Sequence, residues 1–322
     1  MDSNISKPRI LSLDMFRGFA IFGMILVNYL GHFDVIPETF KHPRYGMTFA
    51  NAIAPYFLFA VGMGLKMSLE RRIKKTGVRP DYIHAIKRYL VLILIGVVLY
   101  GPDPVMDMWD ALVDIGFAGI ITLSFIVRSQ RTRIILAFAL MITYQLLFTF
   151  TDYGVWTMQN SIDGGPLGPI SWASILVFGT IQMDYLEKYK GRKFINKSMI
   201  LGVPLLVAGL ILSYLQPSEI WEFSQRSMTM AYPIFASGLS ILTFAVFYLL
   251  GDIWKKNIAF LKVLGYNPLI IYILQQILIV CYGDFLPRTA PLWQAILGFV
   301  VIYGICHLVA RNMAKNKLIV KL

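Results

Sequence analysis

The chain has 322 residues, 57% hydrophobic and only 15% charged, with a mean hydropathy of +0.63, which excludes a soluble globular domain of this size. A net charge of +12 would suit a nucleic-acid binder, but the basic residues fall between apolar runs, so no nucleic-acid partner is expected. Cys281 and Cys306 both lie inside apolar runs and leave no disulfide framework.

The first apolar run, 16–31, opens in "SLDMFRGFAIFGMILVNY" with Asp14 and Arg17 at its mouth and closes with Asn28. Three residues apart on a helix, Asp14 and Arg17 are neighbours. They read either as a pair that caps and orients the helix at the membrane surface, or as an Arg17 that holds an anionic group while Asp14 fixes it. No small-residue cleavage site follows, so this run is expected to stay as an uncleaved anchor.

The loop "GHFDVIPETFKHPRYGMT" (31–48) carries His32 and His42. Histidine titrates near neutrality, so either can act as a general base or nucleophile at a cavity rim, and chemistry alone does not separate them. A second run, 49–69, is interrupted by Asn51 and Pro55. The stretch from Lys66 to Arg88 holds eight Lys or Arg, which suits anionic membrane lipids and equally the phosphates of a cytosolic ligand such as coenzyme A.

Further runs lie at 85–101, 110–127 (with Asp114), 133–152 and 169–186, the last after a Gly- and Pro-rich loop at 152–171. Runs at 198–215, 231–250, 264–282 and 291–310 complete about ten, each roughly the 17 to 25 residues that cross a bilayer. Asn267, Gln275 and Gln276 are polar residues of the ninth, and Pro268 after Asn267 suits a helix start. The fold expected is all-α, a polytopic transmembrane bundle forming one domain over 1–322. With both termini cytoplasmic, 26 of the 30 basic residues fall on the cytoplasmic side, leaving Lys41, Arg44, Arg226 and Arg288 on the far side. Metal-ligand spacings, a G-x-S-x-G elbow and a GK[ST] phosphate loop are all absent, so no metal is expected.

Four blocks, "RILSLDMFRGFAIFGMILVNY", "KHPRYGMTFANAIAPYFLFAVGMG", "DGGPLGPISWASILVFGT" and "LGYNPLIIYILQQIL", together resemble the heparan-α-glucosaminide N-acetyltransferase-like transmembrane acyltransferases. The most specific part is D-x-F-R-G and V-N-Y, then H-x-x-x-G-x-T, then P-[YW]-F-x-F-x-x-G. The resemblance implies acetyl-CoA as acyl donor and a sugar-like acceptor, with an amino or hydroxyl group, on the opposite side. It implies His42 as the catalytic histidine, Asn28 as a second catalytic residue, and Asp14, Arg17 and Asn267 as donor-lining residues. A homodimer and a cell-membrane location are implied as well. Asp14 and Asn28 would stand about 21 Å apart along a helix, comparable with an extended pantetheine arm.

Departures from the family pattern are Arg44-Tyr45 for its Trp-Asn, Asn51 for the Asp of T-x-A-D, and Val113-Asp114 for Gln-Arg. They bear on the acceptor more than on acyl transfer. The rival reading from another class is a transporter or flippase of a lipid or small solute, since broken spans and midplane polar residues serve both.

Overall fold

The computed structural model describes residues 9–76, 82–103, 108–282 and 285–320; Lys7, Arg79 and Lys321, counted in the charge asymmetry, lie outside these, as do the side chains of Lys74 and Lys75. All regular structure among the described residues is helical. In chain order the α-helices are α1 (Leu11–Leu30), α2 (Phe49–Thr76), α3 (Tyr82–Tyr100), α4 (Ala111–Leu123), α5 (Gln130–Phe150), α6 (Tyr153–Asn160) and α7 (Gly168–Lys188). They continue with α8 (Arg192–Leu212), the single turn α9 (Ser218–Trp221), α10 (Ala231–Tyr248), α11 (Ala259–Leu264), α12 (Pro268–Tyr282) and α13 (Leu292–Lys315).

A helix covers each of the ten apolar runs, but not each helix is long enough to span. Seven among the described residues have the length and apolarity to cross a membrane: α1, α2, α3, α5, α8, α13, and α10 with the π-turn that follows it. An eighth arises if α6 and α7, bent by 106° at their junction, count as one broken span. The bend sits at Gly164 and Gly165, whose φ values of 88° and 63° are left-handed. Helices α4 and α12 have only 13 and 15 residues, about 20 Å of rise against a hydrocarbon core of about 30 Å. Asp110, whose side chain accepts from the Ala111 N–H, caps α4 and fixes its late start.

The chain packs as two compact units, one of residues Met1–Val35 with Thr243–Lys321 and the other of Ile36–Leu242. In the first, α1 packs on α11, α12 and α13. Phe22 meets Phe260, Phe299 and Tyr303 edge-on, and the glycine of D-x-F-R-G, Gly18, lies against the Leu261 carbonyl.

In the second unit α7 is the central helix, packed against α2, α4, α5 and α8 and buried on all sides from Trp172 to Met183. The outer helices carry the apolar surface: only 17% of the spanning window of α3 and 22% of that of α8 is buried, against 67% for α2. Leu90, Leu94 and Val98 on α3 and Ile200 and Val207 on α8 are exposed, as lipid-facing positions are.

The α2–α7 crossing depends on one glycine from each helix. A Cβ on Gly62 would stand 2.0 Å from the Leu176 carbonyl oxygen, and one on Gly179 would stand 2.2 Å from that of Phe59. Gly62 ends the P-[YW]-F-x-F-x-x-G block and Gly179 belongs to the VFGT block, so both motifs carry close helix approach. Gly62→Ala or Gly179→Ala must push the helices apart and is expected to cost about 1–3 kcal/mol. A lowered unfolding midpoint in mild detergent checks this, whereas an unshifted midpoint contradicts so close a crossing.

Candidate active site

His42 stands in the connection between the 3-10 turn Glu38–Phe40 and α2. That connection is held in place by its own side chains. Thr48 accepts from the Asn51 N–H at 3.2 Å, an N-cap for α2, and donates to the Lys41 carbonyl at 3.0 Å. Gly46 turns the chain with φ of 97°, and its N–H donates to the Phe223 carbonyl at 2.7 Å. Ser224 donates to the Arg44 carbonyl at 2.6 Å, and Arg44 donates to the Met158 carbonyl at 3.2 Å. The histidine loop is therefore tied to α6 and to the 222–229 segment.

Within this frame Nδ1 of His42 lies 2.9 Å from Oδ1 of Asn51. The Asn51 amide nitrogen donates to the Gly46 carbonyl at 3.0 Å, which assigns Oδ1 as the atom facing the ring. An acceptor there requires a proton on Nδ1, and leaves the lone pair of Nε2 free. Asn51 is itself fully buried, and Tyr232 donates to its backbone carbonyl at 2.7 Å. His42 keeps an exposed face, while the enclosure of the rest of its ring lowers its pKa below the ordinary histidine value. Asn51, Gln225 and the charge of Asp110 act the other way and do not overcome it. At neutral pH the ring is an uncharged base.

Around it is a group of acceptors with few donors. Gln225 donates to Oδ1 of Asp163 at 2.6 Å, and its own Oε1 is buried without a hydrogen bond. Both carboxylate oxygens of Asp114 on α4 are buried and unpartnered. Asp163 is 5% exposed and held through its backbone carbonyl by the Trp172 indole at 2.9 Å. Enclosure raises the pKa of Asp110 toward neutrality, to about 7, helped by the charge of Asp163, with the Ala111 N–H and His42 opposing. Enclosure likewise raises that of Asp163, opposed by Gln225 and Arg226. A pocket of about 270 Å³ opens beside Asp110 and is lined also by Tyr100, Gln159, Asn160, Ser161, Ile162 and Arg226. Asp110 both faces this pocket and acts on His42. No group of three His, Cys, Asp or Glu among the described residues is arranged to hold a metal ion.

The other expected site residues belong to the first unit. Asp14, 4% exposed, pairs with Arg9, which donates from Nε at 2.7 Å and from Nη2 at 3.0 Å, so its carboxylate is matched by a residue before the helix and not by Arg17. Arg9 also stacks on Tyr266 at 4.1 Å, which brings Asp14 to the segment that holds Asn267. Asn267 donates to the Leu318 carbonyl at 2.7 Å and accepts from the Val320 N–H at 3.1 Å. Its amide thus grips the C-terminal segment as another strand would. Arg17 is partly buried one turn beyond Asp14, and Asn28 is partly buried near the end of α1. His32 packs edge-on against Phe33.

Asn51 read in the sequence as a helix interruption and Asp114 as a departure from the family pattern, while Asp110, Asp163 and Gln225 gave no local signal, since separate loops bring them together. Arg226 stood out in the sequence only as one of four basic residues on the far side.

The family model described as heparan-alpha-glucosaminide N-acetyltransferase, catalytic, matches residues 9–182. That span contains every second-unit residue of the site described above except Phe223, Ser224, Gln225, Arg226 and Tyr232. Human heparan-alpha-glucosaminide N-acetyltransferase is 32% identical over 107 residues, which cover 32% of this chain and 16% of the human protein.

Proposed function

This chain belongs to the heparan-alpha-glucosaminide N-acetyltransferase catalytic family, and on that premise we propose that it moves an acetyl group from cytosolic acetyl-CoA to an amine of a sugar-like acceptor on the other face of the membrane, with His42 as the base. The observation that carries this reading is a neutral His42, its Nδ1 proton committed to Asn51, beside an acceptor-rich wall of Asp110, Asp163 and Gln225. Such a wall suits a ligand that brings donors and positive charge, as an ammonium does.

The acceptor ammonium gives one proton to the Asp110 carboxylate, and the resulting amine attacks the thioester carbonyl. As the C–N bond forms, Nε2 of His42 takes the second amine proton, and the C–S bond breaks. His42 returns that proton to the leaving thiolate, which departs as coenzyme A, and Asp110 releases its own to water. The same Nε2 lone pair would serve a route through an acyl-histidine, whose signature is label retained on the protein without acceptor. For the donor, Arg17 would hold an anionic group and Asn28 would hydrogen-bond the thioester carbonyl, while Asp14 and Asn267 would act as positioning residues through Arg9 and the Leu318–Val320 backbone.

The test is release of free coenzyme A from acetyl-CoA by the protein in lipid vesicles, with and without amino sugars. Release that depends on the amine supports the reading; release absent with every acceptor favours a transporter. The pH dependence adds a sharper expectation. Because Asp110 must be ionised to take the ammonium proton and His42 must be neutral, kcat/KM rises with pH through about 7, with a second step lower down. Asp110→Asn removes the upper step. It also moves the remaining limb to lower pH, since the lost carboxylate charge had favoured the imidazolium. A profile identical to wild type contradicts the role of Asp110.

A further inference from the structure

Arg226 is one of only four basic residues that the charge pattern assigns to the far side. It lines the 270 Å³ pocket together with Asp110, Gln159, Asn160 and Ser161. It is partly buried, and among the described residues its guanidinium has no hydrogen-bond or ion-pair partner, being felt only as a charge by Asp163. The neighbouring polar groups are engaged elsewhere: Asn160 donates to the Trp156 carbonyl at 2.9 Å, and Ser161 accepts from the Asp163 N–H at 3.3 Å. The same short segment places Gln225 against Asp163, so the backbone that orders the acidic wall also sets the arginine at the pocket.

An arginine with its fork of five donors unused, on the wall of a half-open pocket, is built for a planar or tetrahedral oxyanion. Asp110 on the same pocket wall disfavours a purely anionic ligand and suits one that carries both signs. The pocket falls just below the range of about 300–1,000 Å³ that holds drug-sized ligands, a size for one sugar ring rather than a chain. We infer that this pocket selects amine acceptors that also carry an oxyanion, a phosphate or a carboxylate, which Arg226 holds while the amine faces Asp110. The inference rests on the acyltransferase reading for the role of the amine, but the oxyanion subsite can be detected without turnover.

The experiment uses the full chain in lipid nanodiscs. Glucosamine, glucosamine 6-phosphate and muramic acid are compared as acceptors with acetyl-CoA, and as ligands in calorimetric titration without donor, for wild type, Arg226→Gln and Arg226→Lys. Wild type is expected to favour at least one oxyanion-bearing amine over glucosamine by tenfold or more, in both kcat/KM and binding. The phosphate and carboxylate arms say which oxyanion the site takes. In Arg226→Gln the preference falls toward one, and Arg226→Lys keeps part of it, which a folding defect would not produce. Equal treatment of all three amines by wild type, or an unchanged preference in Arg226→Gln, overturns the inference while leaving acyl transfer to glucosamine intact. Preferential binding with no turnover of any acceptor upholds the subsite and sinks the acyltransferase reading instead.

Discussion

His42→Ala is expected to lower acceptor-dependent kcat/KM by about 10²–10⁴-fold, the usual worth of a positioned acid–base group. Unfolding should be little affected, because the ring keeps an exposed face and is held chiefly through Asn51. Asn51 is expected to contribute through the histidine. Asn51→Ala releases Nδ1, lets the ring change tautomer and tilt, and should cost about tenfold to a hundredfold. Asn51→Asp keeps an acceptor at the same distance and adds a negative charge, so it should retain most activity and move the histidine limb of the pH profile upward. Steady-state release of coenzyme A across pH, with folding checked by thermal melting, measures all three. Loss in Asn51→Asp as deep as in Asn51→Ala, with no shift of the limb, would contradict a positioning role.

Arg133→Met is expected to destabilise the protein by about 3–5 kcal/mol, the range for breaking a buried ion pair by removing one partner. Arg133 on α5 is 1% exposed. It donates to Thr180 at 2.6 Å and pairs with Asp184, both on α7. Asp184 also meets Lys66 of α2 at 3.4 Å and accepts from Gln130 at 3.3 Å, while Lys66 pairs with Glu70 at 3.1 Å. The surviving lysine keeps Asp184 from being fully stranded, which sets the effect toward the lower end. Arg133→Met with Asp184→Leu removes both charges and should recover part of the loss. Unfolding midpoints of the single and double variants decide the matter, and a single variant as stable as wild type would show that the pair holds nothing together.

Arg133 also marks where sequence reading stops. As a charge beside an apolar run it counted toward membrane topology; burial against Asp184 depends on α7, some fifty residues later, and no local pattern records that. Asp14 is similar, since helical spacing pointed to Arg17 and the carboxylate found Arg9 across the cap instead. What was legible was whatever depends on composition and short spacing: the apolar runs that became helices, and His42 in its H-x-x-x-G-x-T frame. The glycine of that frame, Gly46, accepts from Asn51 and so sets the face that Asn51 turns to the histidine. Asn267 was legible as a helix start at Pro268, but its grip on Leu318 and Val320 is a long-range contact. The acidic wall joins α4 with two loops and needed the fold to become visible.

On the proposed function, His42 drives acyl transfer to an amine. The most direct test supplies isotope-labelled acetyl-CoA and glucosamine to wild type and His42→Ala in sealed vesicles and follows the label by mass spectrometry. Labelled N-acetyl product from wild type, and at least a hundredfold less from an equally folded His42→Ala, is the predicted result. Product at the wild-type rate from His42→Ala, or an unlabelled amine after incubation with wild type, would contradict it.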